Sequence, residues 1–194
     1  TASSITHWIV GLFTTGNISF GCALVSGKNL VPKPAAGMTA MGVHLSDLMI
    51  WLFGSVDNVF SSTSKRILKF KTGDVVTASL LHKNGLSTQI TAILKTPHYQ
   101  RVTVFGDKGW AELTDSSHPD TPGDSELVVR MNNGKIKKNT LKWNDTVSAN
   151  INNFVNAIYG KKKYIFTDEE KYQNVAILDA IKNSSLKRKV IKIK

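Results

Sequence analysis

Residues 37–54 read GMTAMGVHLSDLMIWLFG, and this stretch decides how the chain folds. Apolar residues recur at positions 41, 45, 48, 49 and 52, which is the spacing of an amphipathic helix. Gly54 is a natural end for that helix because glycine readily adopts the left-handed conformation found there. His44, Asp47 and Trp51 lie at positions i, i+3 and i+7 and share a second face. The spacing therefore predicts a helix that buries one side in a core and presents these three side chains on another.

Beyond Gly54 the apolar residues alternate, as is typical of strands. Asn84-Gly85 and Asn133-Gly134 each predict a hairpin, because Asn-Gly supplies the positive φ angles of a type I′ turn. Upstream of the helix, residues 5–13 favour a strand and residues 14–34 a long loop. The strands predicted downstream are residues 56–62, 75–82, 86–94, 100–105, 110–113, 126–131 and 135–143.

Two further helices are predicted near the C-terminus. The first covers residues 147–159, and the second begins at a capping box formed by Thr167 and Glu170. Alternating Ile and Lys at the very end indicate a short edge strand. Strands that are segregated from helices define an α+β fold. We expect one domain over residues 1–194, with an open, mostly antiparallel sheet, helices packed on one face and the other face available for oligomerisation.

Composition excludes several classes of protein. The net charge of +11 could indicate a nucleic-acid or anionic-polymer binder, but the lysines form short, scattered groups without a recognition helix. We therefore predict no nucleic-acid partner. The longest apolar run is far shorter than the ~20 residues of a membrane helix, so we predict no membrane partner either.

Cys22 is the only cysteine, which favours the cytoplasm and excludes an internal disulfide. Metal-ligand spacing does not occur, and we predict no metal site.

Three stretches carry a resemblance to a known family: residues 37–54, residues 105–113, and the capped final helix with its basic tail through Val190. In their order along the chain they resemble the C-terminal domain of the Gfo/Idh/MocA oxidoreductases. This family includes glucose–fructose oxidoreductase and inositol dehydrogenase. The similarity runs from about Gly37 to the end of the chain and is loose before that point.

The resemblance implies a nicotinamide cofactor, NAD or NADP, held by a separate N-terminal Rossmann domain. The chain contains no Gly-x-Gly-x-x-Gly turn, and it opens with Thr1 rather than Met. We therefore expect it to be a truncated part of a longer oxidoreductase, with no cofactor-binding residues of its own and no activity when isolated. The resemblance also implies a sugar-like or polyol-like substrate and assembly into a dimer or tetramer through the open sheet face.

Site residues follow from the same resemblance. The family histidine falls on His44, where it contacts a substrate hydroxyl and takes part in proton transfer, a role suited to an imidazole pKa near neutrality. Lys33, just before the helix, and His98 and Tyr99, at a sheet end, are further candidates for substrate binding. The family's aspartate position falls on Ala40, which cannot accept a proton.

Two functional hypotheses remain open on this evidence. In the first, the chain is the substrate-binding and assembly domain of an NAD(P)-dependent oxidoreductase that acts on a sugar, polyol or related hydroxy compound. In the second, it is a non-catalytic relative that serves as a ligand-binding and oligomerisation module. Ala40 is the main support for the second hypothesis.

Overall fold

The computed structural model describes residues 38–67, 73–117 and 121–193, with side chains from Gly42 onward in the first helix. The strand and loop predicted before residue 37 lie outside the described residues. The elements follow the predicted order along the chain: α1 (Met38–Phe53), β1 (Val56–Ser64), β2 (Val75–His82), β3 (Ser87–Ile93), β4 (Gln100–Gly106), β5 (Gly109–Asp115), β6 (Ser125–Met131), β7 (Ile136–Leu141), α2 (Thr146–Ile158), α3 (Asp168–Lys187) and β8 (Ile191–Lys192).

The strands form two four-stranded sheets, in the orders β3-β2-β1-β8 and β4-β5-β6-β7. Every pairing between these strands is antiparallel. The predicted α+β class and open antiparallel arrangement are confirmed, although the strands divide into two sheets instead of one. The hairpin at Asn84-Gly85 joins β2 to β3, and the hairpin at Asn133-Gly134 joins β6 to β7. The short C-terminal strand pairs with β1 at the edge of the first sheet.

The main core lies between the first sheet and the helices α1 and α3. Leu45 and Met49 of α1 are buried in it, together with Ile177 of α3. Strand β2 alternates as predicted: Val76, Ala78 and Leu80 point into this core, whereas Thr77, Ser79 and Leu81 are exposed. Burial on this scale, at about 25 cal/mol per Å² of apolar surface, is the dominant stabilising contribution to the domain.

The opposite side of the strands forms what we call the outer face. In the first sheet it presents Phe60 of β1, which is 49% exposed, beside Ser79 of β2. In the second sheet Val104 belongs to the main core, so its neighbour Phe105 points to the outer face, where it is paired with Trp110. Serine and threonine side chains flank Phe60 in the first sheet, whereas Glu112 and Arg130 lie on the face of Phe105 in the second.

Polar side chains fix the position of α3 on strand β1. The Ser61 amide donates to Ser184 Oγ at 2.9 Å, and the Ser61 hydroxyl donates to the carbonyl of Ile181 at 2.6 Å. Nearer the start of the helix, Gln173 Oε1 accepts from the amide of Val56 at 3.2 Å. All these bonds join residues that are far apart in sequence and buried. A one-residue shift of the helix along the strand would leave several buried polar groups unpaired.

His82 connects the end of α1 to the β2–β3 hairpin. Its ring is 1% exposed, with Nδ1 2.8 Å from the carbonyl of Gly54 and Nε2 3.0 Å from Thr88 Oγ1. Phe53 packs edge-on against the ring, and Asn84 donates to the carbonyl of Phe53 at 2.9 Å. Burial lowers the pKa of His82 below its usual value of 6.5, against a smaller opposite effect of the Gly54 carbonyl. The native state therefore holds this imidazole neutral.

We predict that His82 makes the domain less stable in acid. Its pKa is lower in the folded than in the unfolded chain, so its stabilising effect is complete above pH 6.5 and is lost as the pH falls below that value. The slope is at most about 1.4 kcal/mol per pH unit for one proton. In urea denaturation, the difference in unfolding free energy between wild type and His82→Gln should shrink from pH 8 to pH 5. A difference that stays constant over this range would contradict the assignment.

Candidate functional site

The exposed side of α1 presents the candidate catalytic residue. His44 is exposed, Asp47 one turn later is half-buried, and Trp51 a further turn on is 45% exposed. Leu45 and Met49, on the other side of the helix, lie in the core. The predicted division of α1 into a buried and a presented side is confirmed. His44 is thus held on a helix whose other side is anchored, with its own side chain open to solvent or to a ligand.

Asp47 connects His44 electrostatically to the start of α3. Burial raises the pKa of Asp47 above its usual value of 3.8, and the negative charge of Glu170 raises it further. The positive form of His44 acts in the opposite direction and favours the Asp47 carboxylate. The Asp47 carboxyl therefore lies within electrostatic reach of both His44 and Glu170.

Glu170 is fixed in place by the predicted capping box. Its Oε2 accepts from the Thr167 amide at 2.7 Å and from the Thr167 hydroxyl at 2.8 Å, while its own amide donates to Thr167 Oγ1 at 3.2 Å. These bonds stabilise the carboxylate and lower the pKa of Glu170. Sequence reasoning assigned this residue only a capping role. In the folded chain its negative charge also acts on Asp47.

A buried polar pair clamps α1 against α3 next to these residues. The Ser46 hydroxyl is fully buried, donates to Asn174 Oδ1 and lies 2.9 Å from the carbonyl of Gly42. The Asn174 amide donates in turn to the carbonyl of Val43 at 3.1 Å. The helices approach closely here, since a Cβ added to Gly42 would lie 3.1 Å from Leu178 Cδ2. The clamp therefore holds the turn of α1 that carries His44.

Neither member of this clamp was predicted from the sequence. Ser46 and Asn174 are 128 positions apart, and nothing in the local pattern pairs them. The available signal was that each polar residue interrupts an apolar stripe at helical spacing. A polar residue in such a stripe needs a buried partner.

The other predicted site residues lie elsewhere along the chain. His98 is half-buried and Tyr99 is 39% exposed, and both occupy the connection between β3 and β4. Lys33 lies outside the described residues, and the backbone of Ala40 falls in the first turn of α1. Substrate binding by Lys33, His98 and Tyr99 stays a prediction.

The described residues contain no parallel βαβ unit. All of their strand pairs are antiparallel, whereas dinucleotide sites of the Rossmann type lie at the end of a parallel βαβ unit that opens with a glycine-rich turn. Among these same residues, no group of three or more His, Cys, Asp or Glu side chains could hold a metal ion. No helix in the described ranges is long and apolar enough to cross a membrane.

Comparison with known proteins identifies the class of domain. The model of the Gfo/Idh/MocA oxidoreductase family, C-terminal alpha/beta domain, matches residues 29–193. The match covers most of the chain, so the protein belongs to this family. No curated protein sequence matches it.

Solved structures show the same fold at low sequence identity. An oxidoreductase from Agrobacterium radiobacter in complex with NAD+, L-tartaric acid and magnesium has a TM-score of 0.79 and 16% identity, over 98% of this chain and 61% of its own. An aldose-aldose oxidoreductase from Caulobacter crescentus complexed with glycerol has a TM-score of 0.76 and 15% identity. The match covers 98% of this chain and 59% of that protein. A 3-ketoreductase from Actinomadura kijaniata in complex with TDP-benzene and NADP has a TM-score of 0.77 and 13% identity. The match covers 94% of this chain and 57% of that protein. The chain thus spans about three fifths of the length of these proteins.

We predict that the Ser46–Asn174 clamp stabilises the domain measurably. Asn174→Leu should lower the free energy of unfolding by about 1–3 kcal/mol, because it removes the bonds of Asn174 to the buried Ser46 hydroxyl and to the carbonyl of Val43. Asn183→Leu is the matched control, since Asn183 lies on the same helix and bonds at the surface to Asp179. In the same chemical denaturation, Asn183→Leu should lower the free energy of unfolding by about 0.5 kcal/mol or less. Equal costs for the two variants would refute a special role for the clamp.

Proposed function

We propose that the chain is the substrate-binding and assembly domain of an NAD(P)-dependent oxidoreductase that acts on a sugar, polyol or related hydroxy compound. The match of the family's C-terminal domain model to residues 29–193 carries this proposal. The ligands bound in two similar structures, NAD+ with L-tartaric acid and NADP with TDP-benzene, support the cofactor and a hydroxylated substrate. The single cysteine, Cys22, fits a cytoplasmic location.

His44 is proposed to handle the proton of the reaction. When an alcohol is oxidised to a carbonyl, a hydride leaves the carbon and a proton leaves the hydroxyl oxygen. The hydride would pass to a nicotinamide cofactor. An exposed imidazole on an anchored helix can accept the hydroxyl proton in oxidation and return it in reduction. Asp47 lies on the same side of α1 one turn from His44, and the positive form of His44 favours its carboxylate.

Ala40 favours the second candidate, a non-catalytic relative that binds a ligand and assembles. Where the family resemblance implies an aspartate, this chain has a methyl group that cannot bind a hydroxyl or a proton. Under this alternative His44 would contribute to binding alone. Kinetic behaviour of His44 variants therefore separates the two candidates.

Assembly is proposed to use the outer face of the sheets. Phe60, Leu81 and Phe105 are each more than 40% exposed there, although large apolar side chains are commonly buried. Exposed apolar groups within a flat, small-residue surface are characteristic of interfaces between subunits. A dimer or tetramer formed through this face would leave the His44 side of α1 accessible.

In the full-length protein, His44→Ala should lower kcat by about 10²- to 10⁴-fold, the usual contribution of a general acid or base. Added imidazole should restore part of the activity, because it replaces the missing proton acceptor. His44→Gln keeps a hydrogen-bonding group and should preserve KM better than kcat. The 194-residue chain alone should not oxidise NADH or NADPH. Turnover by His44→Ala close to wild type would remove His44 from the mechanism and favour the binding module.

Phe60→Asp should weaken assembly of the full-length protein, because it places a charge at the centre of the outer face. We expect the molar mass from light scattering to fall from that of a dimer or tetramer toward that of a monomer. Tyr172→Asp is the control, since Tyr172 is 61% exposed but lies on α3. A wild-type protein that is monomeric at micromolar concentration would contradict the assembly proposal directly.

A further inference from the structure

Basic residues that are scattered along the sequence meet at one end of the first sheet. The end of β1, the start of β2 and the end of β3 adjoin there: the Asp74 amide donates to the carbonyl of Ser64 at 3.0 Å, and the Leu94 amide donates to the carbonyl of Asp74 at 2.9 Å. The end of α3 lies beside them, since Ser185 Oγ accepts from the Thr63 amide at 3.0 Å. Six exposed cations on these segments form what we call the basic end: Lys65, Arg66, Lys95, Lys187, Arg188 and Lys189.

These segments carry a single carboxylate, and it is buried. Asp74 is 2% exposed, and its two oxygens accept from the backbone amides of Arg66 and Ile67 at 2.7 and 2.6 Å. Its charge therefore organises the turn after β1 and is withheld from the surface. The neighbouring sequence adds no other, because residues 58–106 contain no further Asp or Glu and residues 180–194 contain none.

The cations of the basic end are not neutralised by ion pairs. None of the six forms a salt bridge with another described residue, whereas Lys138, Lys142 and Lys171, elsewhere on the domain, pair with carboxylates at 3.9, 2.6 and 2.6 Å. Strands β1 and β3 lie two strand spacings apart, which is about 10 Å. This separation is close to the Debye length of about 8–10 Å in physiological salt, so the charges act together as one positive surface.

Arg188 holds a backbone conformation that helix ends usually give to glycine. It caps α3 with φ 51° and ψ 40°, and in the described part of the chain it is the only residue other than glycine with positive φ. A side chain in this left-handed region carries a steric cost that glycine avoids. Strain kept at an exposed position points to a role for the side chain. The structural alternative is a favourable interaction of the cation with the helix C-terminus, and the experiment below separates the two.

We propose that the basic end is a docking surface for an anionic phospholipid membrane. Cations spread over three strands and a helix end suit an extended negative surface better than a single phosphate group, which needs donors that converge. Clusters of about 4–8 Lys or Arg residues at a bilayer are attracted by anionic headgroups. Surface binding needs no spanning helix, so the short apolar runs on which the sequence prediction of no membrane partner rested do not bear on it.

Two exposed aliphatic side chains favour a membrane over a nucleic acid. Ile67 is 65% exposed beside Arg66, and Leu186 is 73% exposed beside Lys187. At a bilayer such groups enter the boundary between headgroups and acyl chains while the neighbouring cations stay at the headgroups. A phosphate backbone offers no apolar layer of this kind. Single strands are held by aromatic stacking, for which the described residues of these segments supply no ring.

The test measures binding of the full-length protein to vesicles by cosedimentation at about 0.1 M salt. Vesicles of phosphatidylcholine alone are compared with vesicles in which about one third of the lipid is phosphatidylserine. Two triple variants remove the same charge, one at the basic end and one at exposed positions elsewhere: Lys65→Gln/Lys95→Gln/Lys187→Gln and Lys83→Gln/Lys135→Gln/Lys162→Gln. We expect wild type to bind only the anionic vesicles. The basic-end variant should bind them at least about tenfold more weakly, and the control variant should stay within about threefold of wild type.

Two further variants test the backbone strain and the apolar contact. Arg188→Gly should bind the anionic vesicles several-fold more weakly and yet melt at a higher temperature, because glycine relieves the left-handed backbone. A lower melting temperature with unchanged binding would show that Arg188 serves the helix end, against its assignment to the surface. Ile67→Ser/Leu186→Ser keeps every charge and should weaken vesicle binding several-fold, because it removes the groups that enter the bilayer.

Three results would overturn the proposal. Equal binding to neutral and anionic vesicles, or binding to neither, would remove anionic lipid as the ligand. Equal losses in the two triple variants would assign the binding to the net charge of +11 and not to the basic end. Binding to duplex DNA or RNA that is tighter than binding to the vesicles at the same phosphate concentration, and that the basic-end variant loses, would identify a nucleic acid as the partner.

Discussion

The contact between α1 and α3 is the constraint on which the rest of the structure depends. It joins the helix that carries His44 to the helix whose first turn carries Glu170, and both pack on the first sheet. Apolar burial supplies most of the stabilisation, but it is not directional. The buried Ser46–Asn174 pair adds direction, because these polar groups are satisfied together in only one relative placement of the helices.

Polar contacts also settle how the helices sit on the strands. Ser61 bonds to α3 with both its amide and its hydroxyl, and His82 uses both ring nitrogens to hold the turn after α1. A purely apolar interface would tolerate small slides at little cost, whereas each of these bonds is lost on a shift of one residue. The candidate site therefore stands on a scaffold whose geometry is fixed by many buried hydrogen bonds.

Local signals account for what the sequence could predict. Helical spacing defined α1, Asn-Gly defined the two hairpins, and Thr167 with Glu170 defined the start of α3, because each signal lies within a few consecutive residues. The division into two sheets and the partners of Asn174 depend on contacts between distant parts of the chain. A pattern of alternation shows which side of a strand is buried but not what covers it. For the site, His44 came from the family resemblance, whereas the influence of Glu170 on Asp47 required the fold.

The exposed apolar surfaces differ in chemistry in a way that matches different uses. In the first sheet the outer face mixes isolated groups such as Phe60 with serine and threonine, so it tolerates contact with water. Helix α2 is uncharged and presents its apolar residues without interruption, so leaving it in water costs more per unit of area. A surface of the second kind is best suited to a contact that forms once, during folding, and persists. On this argument the apolar side of α2 has the stronger need of a lasting contact, whereas the outer face of the sheets tolerates water.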